Sequence, residues 1–448
     1  MHEGTTPLPQ AFLDALRVQL GEAELAAYLR AMEQPHTRGL RVNLLRWPDG
    51  VLPCAVDGVG EAIPWAAGAY WVTGEARPGL DPLHEGGAYY LQEPSAMTAA
   101  ALLAPLSGER VLDLCAAPGG KSTQLAAMLG GEGLLICNEI IPSRAQILSR
   151  NIERMGVRNA MVTSAAPDAL ARELPGFFDR ILVDAPCSGE GMFRRQEEAR
   201  AEWTPDAPAM CAQRQMDILR QAVKMLRPGG TMVDSTCTFN PVENEGVLER
   251  LLEAYPALRL QPFALPGLDA APQGYMHLYP HRMRGEGHFI SLLSLRADAP
   301  QERPSVPEIR EDAQARKAWE AFAPEVLSRR ARFSRILQTG DALYAVPAGA
   351  PQLRGVRVLR AGLCLGHVKG KRIEPDHALA MALRGEEAAR TAPFTREQAL
   401  MYQHGEAISA PEGAGKGYAL ATLHGCPLGW VKCADGLYKN HYPKGLRR

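Results

Sequence analysis

The 448-residue sequence lacks the features of a membrane or secreted protein. No uncharged apolar run reaches the roughly 18 residues of a membrane span, and residues 1–10 lack the basic start and apolar stretch of a secretory signal. Nine widely spread cysteines with no Cys-x-x-Cys pair fit a reducing compartment better than a disulfide framework. We therefore expect a cytoplasmic protein with no membrane segment and no metal site.

An excess of charge of one sign is also absent. Lysine and arginine number 49 against 50 aspartates and glutamates, so the net charge of −1 argues against a uniformly basic nucleic-acid coat. Hydrophobic residues make up 46% and charged residues 22%, which is typical of globular proteins. The length predicts two to four domains, and a monomer is the default expectation.

Changes of pattern divide the chain into five segments. Residues 1–86 combine amphipathic helices with short strand-like pieces and predict a small α/β module. Residues 298–312, rich in proline and charge, predict a linker between the alternating segment 87–297 and the C-terminal modules 313–385 and 386–448. These last two are strand- and glycine-rich after a helical start, which predicts C-terminal α+β or β-rich modules.

Short apolar runs alternate with helical stretches in the segment 87–297. The five clearest runs are 110–114, 134–138, 160–163, 180–184 and 231–235. Nearly continuous apolar strands between helices predict an α/β fold with a doubly wound, mostly parallel sheet. The run 288–295 follows a longer excursion and predicts an antiparallel edge strand.

Two segments near the C-terminus favour nucleic-acid binding. The first carries basic residues with no acid among them: Arg354, Arg357, Arg360, Lys369, Lys371 and Arg372. The tail mixes lysine and arginine with aromatic rings and a histidine, namely Trp430, Tyr438, His441 and Tyr442. A charge run is usually a solvated face, but basic residues interleaved with aromatic ones are typical of a nucleic-acid surface.

A strand, a tight turn and a helix start at residues 111–121 predict a cofactor site. The turn is not a P-loop, because Cys115 stands where that motif needs glycine and Pro118 removes an amide. It also departs from G-x-G-x-x-G, which argues against a nicotinamide dinucleotide. A nucleoside cofactor without pyrophosphate, such as S-adenosylmethionine, remains; Glu139 after the next strand is predicted to bind its ribose, and Arg144 to orient Glu139 or contact the cofactor.

Two cysteines follow predicted strands that lie near the centre of the sheet. Cys187 comes after Asp184 and Pro186, and Cys237 stands between two threonines. A thiolate that adds to C6 of a pyrimidine makes C5 nucleophilic, after which a base must remove the C5 proton. Lys121 could favour the thiolate or steady charge on the ring. Local chemistry leaves open which thiol attacks, since a cysteine after proline serves DNA cytosine-5 methyltransferases.

Three motifs resemble those of the Nop/Sun RNA (cytosine-5) methyltransferases. They are Asp-Leu-Cys-Ala-Ala-Pro-Gly-Gly-Lys at 113–121, Asp-Ala-Pro-Cys-Ser-Gly-Glu-Gly at 184–191 and Ser-Thr-Cys-Thr at 235–238. The likeness continues at 40–43, 92–97, 280–281 and 285–289, and the tail segments 428–432 and 439–445 resemble the bacterial RsmF branch, which modifies small-subunit (16S) ribosomal RNA.

The resemblance implies a seven-stranded Rossmann-like methyltransferase sheet, an N-terminal RNA-recognition-like module and a PUA-like C-terminal module. It implies that Cys237 attacks C6, that Cys187 assists proton removal at C5, and that Asp184 contacts the cytosine edge beside the methyl donor. S-adenosylmethionine would be held by Asp184, Glu139 and the turn Cys115, Ala116, Ala117, Pro118, Gly119, Gly120 and Lys121. Ser164 to Asp168 departs from the family pattern, which leaves adenine contacts open.

Two rival functions are weighed against this one. A non-catalytic RNA-binding or ribosome-assembly factor would need neither thiol, nor Asp184, nor Lys121. An adenine-N6 or glutamine methyltransferase typically carries Asn/Asp-Pro-Pro-aromatic, which Asp-Ala-Pro-Cys at 184–187 is not.

Overall fold

The computed structural model describes residues 6–300 and 305–447. Residues 1–5 of the predicted first module, 301–304 of the predicted linker and Arg448 of the tail therefore lie outside the described residues. Within the described ranges, no helix combines the length and the apolar character needed to cross a bilayer.

Three helices and a four-stranded antiparallel sheet form the N-terminal module. Its strands pair in the order β2-β3-β1-β4. The apolar faces of the first two helices pack on aromatic side chains of the central domain, such as Phe193 and Phe239. The elements are α1 (Gln10–Leu20), α2 (Glu22–Met32), β1 (Gly39–Val42), β2 (Val59–Ala62), β3 (Ala69–Val72), α3 (Pro82–Glu85) and β4 (Tyr89–Gln92). The next helix, α4 (Met97–Leu103), packs on the central domain.

The central domain alternates strands and helices. Its elements are β5 (Arg110–Asp113), α5 (Gly120–Leu129), β6 (Leu134–Asn138), α6 (Pro142–Arg154), β7 (Ala160–Ser164), α7 (Pro167–Glu173), β8 (Phe178–Asp184), α8 (Glu197–Glu202), α9 (Ala207–Met225), β9 (Leu226–Thr236), α10 (Glu245–Ala254), β10 (Leu258–Leu260), β11 (Phe263–Ala264), β12 (Ala270–Ala271), β13 (Tyr275–Leu278) and β14 (His288–Leu295).

The C-terminal part builds two antiparallel-rich sheets. Its elements are α11 (Ala313–Phe322), β15 (Ile336–Thr339), β16 (Ala342–Ala345), β17 (Arg357–Arg360), β18 (Leu363–Lys369), β19 (Arg372–Pro375), α12 (His377–Ala382), β20 (Thr391–Pro393), α13 (Arg396–His404), β21 (Ile408–Ser409), β22 (Gly417–Leu423), β23 (Cys426–Ala434) and β24 (Leu437–Asn440). The sheets have the orders β15-β16-β18-β19 and β20-β22-β23-β24-β21.

The central sheet confirms the predicted doubly wound architecture. The sheet has nine strands instead of the seven that the resemblance implies. Seven of them follow the order β10-β14-β9-β8-β5-β6-β7, and β5 to β9 pair in parallel. Strand β6 is buried throughout because helices cover both faces, which explains its continuous apolar sequence. Strand β14 is antiparallel as predicted, but the edge position was wrong, because β10 and β13 both pair with its outer side.

A strand from the C-terminal part extends the central sheet at its other edge. Strand β17 pairs antiparallel with β7, placing Arg357 opposite Ser164, so a segment almost 200 residues away in sequence covers the open edge. Arg360 at the end of β17 is buried, 4% exposed, with Nη1 3.6 Å from Glu153 Oε2. The predicted basic run is therefore not wholly a surface, because Arg360 anchors this contact.

Candidate active site

The two predicted thiols meet at the carboxyl edge of the central sheet. Strands β8 and β9 are parallel neighbours, so the loops that follow them start side by side. Cys187 Sγ lies 3.3 Å from Cys237 Sγ, and both side chains are partly exposed. The Gly191 N–H donates to the Cys237 carbonyl at 2.8 Å, which joins the two loops. The geometry therefore brings together two nucleophilic sulfurs that 50 residues separate in sequence.

Lys121 and Asp184 form an ion pair beside the sulfurs. Lys121 Nζ donates to Asp184 Oδ2 at 2.7 Å, and the Ser235 hydroxyl donates to Oδ1 at 2.8 Å. Burial, the largest single influence, would raise the pKa of Asp184, but the charge of Lys121 and the hydrogen bonds from Lys121 and Ser235 together lower it. Burial opposes the charge of Lys121, yet the carboxylate keeps the pKa of this lysine raised. Both groups are therefore ionised at neutral pH.

His288 is a buried histidine next to Asp184 that sequence reasoning did not assign to the site. Its Nδ1–H donates to the Gly287 carbonyl at 2.8 Å, which leaves Nε2 as an acceptor. Nε2 is buried, has no hydrogen-bond partner among the described residues, and lies 4.0 Å from Asp184 Oδ1. Burial, and next the charge of Lys121, lower the pKa of His288 to about 4, so the ring is neutral.

The predicted cofactor turn connects β5 to α5. The Ala116 N–H donates to the Asn138 carbonyl at 2.8 Å, and the Ala117–Pro118 peptide is cis. Gly119 has φ of 111°, and a Cβ there would lie 3.1 Å from the Leu148 side chain, so the turn requires glycine. Burial raises the pKa of Cys115, which removes this cysteine from thiolate chemistry.

The N-terminal module braces this turn through Arg41. Its guanidinium donates to the Gly120 carbonyl at 2.9 Å and to the Thr123 hydroxyl at 2.7 Å. Arg41 is fully buried, although it comes from a different module. The motif at 40–43 supported the family resemblance, but no local signal connected it with a turn about 80 residues later.

Glu139 and Arg144 lie on the neighbouring loop. Glu139 is 3% exposed and accepts the Ile141 N–H at 3.0 Å, while Arg144 Nη1 lies 3.3 Å from its Oε2. Arg144 also donates to the Ala117 carbonyl at 3.1 Å. The arginine thus connects the predicted ribose carboxylate with the predicted cofactor turn, so the structure brings the two together.

Two cavities that share lining residues lie next to the N-terminal module. One of about 200 Å³ is lined by Gln92, Glu93, Arg77 and Arg195, among others, and one of about 810 Å³ by Arg282, Arg284 and Gly285, among others. They share His36, Thr37, Arg38 and Val72. The guanidinium groups give the groove a positive lining, which suits a polyanion. Sequence reasoning missed it because its arginines are scattered along the chain.

The tail aromatic rings expected on a nucleic-acid surface are mostly core residues. Trp430, Tyr438 and Tyr442 are 2%, 7% and 3% exposed. They are buried because α12 and α13 pack near strands β22 to β24, and the Trp430 N–H donates to the Asp376 carbonyl at 2.8 Å. That expectation was wrong for the three rings, whereas the basic side chains Lys432 and Lys439 are exposed.

Comparison with known proteins matches every part of this architecture. The family model described as 16S rRNA methyltransferase RsmB/F matches residues 100–294. Domain models of RsmF match 8–94 (N-terminal), 321–383 (first C-terminal) and 389–448 (PUA). Proteins named ribosomal RNA small subunit methyltransferase F from Escherichia fergusonii and Klebsiella pneumoniae are each 32% identical, covering 100% of this chain and 98% of the relative. The chain belongs to the RsmB/F family of 16S rRNA methyltransferases.

Solved structures agree with this membership of the RsmB/F family. A methyltransferase homolog protein from Pyrococcus horikoshii is 28% identical, with a TM-score of 0.50 over 64% of this chain and 99% of that one. The structure of NSun6 from the same organism with SFG, 18% identical, has a TM-score of 0.55 over 66% and 100% of the two chains and supports the fold alone. The chain is an rRNA methyltransferase dependent on S-adenosylmethionine, and the predicted family, fold and cofactor are confirmed.

Proposed function

We propose that this RsmB/F protein methylates C5 of cytosine in small-subunit ribosomal RNA through a transient bond between Cys237 Sγ and C6. The observation that carries the proposal is the 3.3 Å approach of two sulfurs next to the Lys121–Asp184 ion pair. Methyl transfer to an amine or a hydroxyl would require neither thiol. An inactive RNA-binding relative would require neither the thiols nor the buried ion pair.

Cys237 is the better candidate for the attacking thiolate. It interacts electrostatically with the Lys121 cation, which favours a negative sulfur. The hydrogen-bond contact with Cys237, followed by burial, instead raises the pKa of Cys187 well above its usual value. In the free enzyme a proton therefore stays on Cys187. This asymmetry favours the role that the family resemblance implies for each cysteine.

The same asymmetry reverses once Cys237 has reacted. When Cys237 Sγ bonds to C6, its thiolate is consumed, and the interaction that most raises the pKa of Cys187 is lost. Cys187 can then lose its own proton to solvent and accept the proton from C5. The electrons of the C5–H bond re-form the C5–C6 double bond, the C6–S bond breaks, and Cys237 leaves as a thiolate.

The ring is held through its polar edge in this proposal. His288 Nε2 and Asp184 Oδ1 are two acceptors 4.0 Å apart, and a donor group between them would satisfy both. The 4-amino group of cytosine supplies two N–H donors, whereas uracil presents a carbonyl oxygen there. The pair of acceptors thus favours cytosine over uracil.

The cofactor would lie across the carboxyl ends of β5 and β6. A buried acceptor with no partner among the described residues, Asp113 Oδ1, lies under the turn 115–121, and the Glu139 carboxylate faces the same edge. These groups suit the amine and ribose hydroxyls of S-adenosylmethionine, so the residues fit the cofactor. When bound, it supplies an electrophilic methyl group.

The modules 1–86, 313–385 and 386–448 would bind the ribosomal RNA around the target base.

The test is methyl transfer from labelled S-adenosylmethionine to small-subunit RNA, followed by nucleoside analysis. The wild-type enzyme should yield 5-methylcytidine, and Cys237→Ala should yield none while still binding RNA and cofactor. Label in methylated adenosine or uridine, or undiminished 5-methylcytidine with Cys237→Ala, would overturn the proposal. RNA binding without any methyl transfer would favour the assembly-factor alternative.

A further inference from the structure

A buried carboxylate lies behind the thiol loops. Glu243 precedes α10 and is 0% exposed. It accepts the Ser188 N–H at 2.9 Å and the Ser188 hydroxyl, and it accepts the side-chain amide of Gln215 at 3.1 Å. No motif argument from the sequence pointed to this residue.

Gln215 contacts Pro186, the residue that precedes Cys187. This side chain of α9 is 1% exposed, and its Nε2 also donates to the Pro186 carbonyl at 3.1 Å. The residues immediately before and after Cys187 are therefore both fixed by one buried pair, Glu243 and Gln215. The Ser188 hydroxyl additionally lies 2.8 Å from the Thr238 hydroxyl, next to Cys237, so the network spans both thiol loops.

The chemistry of Glu243 is unusual for a residue that only supports the fold. Its hydrogen-bond partners Ser188 and Gln215 carry no positive charge. Burial raises its pKa to about 7. Burying a carboxylate with no cation beside it lowers the free energy of unfolding, whereas an amide or an apolar side chain at the same place would not carry this penalty. Groups of this kind concentrate at functional sites.

We propose that Glu243, acting with Gln215 through Ser188 and Pro186, is a positioning residue that holds Cys187 in place for the elimination step. The inference rests on the proposed function, in which Cys187 accepts the C5 proton after methylation. Addition of Cys237 to C6 and methylation at C5 do not need Cys187 in place. Glu243 and Gln215 together form a clamp on the Cys187 loop. Loss of this clamp should therefore slow product release and leave the first methylation almost intact.

The experiment compares Glu243→Ala, Glu243→Gln and Cys187→Ala in single-turnover methylation, in steady-state turnover and in denaturing gels that retain covalent RNA adducts. Glu243→Ala should accumulate adduct, with turnover about 10- to 100-fold lower and the first methylation reduced far less. Glu243→Gln keeps an acceptor for the Ser188 N–H and should recover part of the turnover. Glu245→Ala is the matched control, because Glu245 contacts His277, 2.7 Å away, instead of the thiol loops.

The outcomes separate this inference from the proposed function. If Cys187→Ala traps the adduct and Glu243→Ala does not, the positioning role is wrong and the proposed function stands. If Cys187→Ala traps none, the proposed function fails first. Equal losses of first methylation and turnover in Glu243→Ala would also overturn the positioning role. Should Glu243→Ala not fold, Gln215→Ala removes the second half of the clamp and is expected to trap adduct in the same way.

Discussion

Lys121 Nζ lies 2.7 Å from Asp184 Oδ2, which joins the first turn of α5 to the end of β8. A cation is unfavourable at a helix N-terminus, because the helix dipole is positive there. The Asp184 carboxylate offsets this unfavourable interaction. The Lys121 side chain is 10% exposed and that of Asp184 is 31% exposed, so little water screens the pair. The contact also holds the cofactor turn against the loop that carries Cys187.

Breaking this pair should reduce activity more than stability. We expect Lys121→Met and Asp184→Asn each to lower kcat/KM for methyl transfer by about 100-fold or more, because each leaves one charge without its partner beside the reacting ring. The double variant should be far less impaired than the product of the two losses. Steady-state kinetics of the four proteins measures this coupling, and strictly multiplicative effects would contradict it.

Glu139 should determine cofactor affinity. We expect Glu139→Gln to raise the Kd for S-adenosylmethionine by about 10- to 100-fold, because a carboxylate hydrogen bond to the ribose becomes weaker. Titration calorimetry measures the change. Glu132→Gln, which lies just before the amino end of β6 and away from the carboxyl edge of the sheet, is the control. An unchanged Kd for Glu139→Gln would remove the predicted ribose role.

The positive groove should contribute to RNA affinity. Arg77→Glu and Arg195→Glu, both exposed, should raise KM for RNA with little change in kcat. Each should also lower the dependence of log affinity on log salt by about 0.7 if it contacts one phosphate of a single strand. Lys224→Glu is the control, because Lys224 lies at the end of α9, just before the amino end of β9. Salt slopes identical to that of the wild type would exclude the groove as an RNA path.

His288 should make the fold sensitive to mild acid. Its pKa is lowered from 6.5 to about 4, so the unfolded chain binds a proton before the folded one does. The stability that its neutral form contributes is complete above pH 6.5 and is lost as the pH falls towards 4. Between pH 7 and pH 5, urea unfolding of His288→Gln should lose about 2 kcal/mol less than that of the wild type. Equal losses would show that His288 does not titrate in this way.

The sequence was sufficient for the parts of the site that follow strands. Parallel strands end at one edge, so Glu139, Asp184 and Cys237 could be placed together from their positions after apolar runs. The turn 115–121 could be recognised because glycine and proline restrict backbone geometry locally.

Contacts between distant parts of the chain could not be predicted from the sequence. Arg41, Gln215 and Glu243 reach the site through contacts that depend on how modules and helices pack, which no period reveals. Strand β17 joins the central sheet because β7 otherwise leaves an open edge, and an edge attracts any strand that can reach it. The tail rings were misread for a related reason: aromatic residues among lysines have the same pattern whether they face RNA or a core.

Detecting the covalent bond between Cys237 and C6 of the target cytosine is the most direct test of the proposed function. RNA containing 5-fluorocytidine cannot lose the C5 substituent as a cation, so any bond formed to C6 persists after methylation. Intact-protein mass spectrometry after incubation with this RNA and S-adenosylmethionine should show the adduct for the wild type and for Cys187→Ala, with fragmentation placing it on Cys237. Cys237→Ala should carry none. An adduct on Cys187, or one that forms equally in Cys237→Ala, would contradict the assignment of the nucleophile.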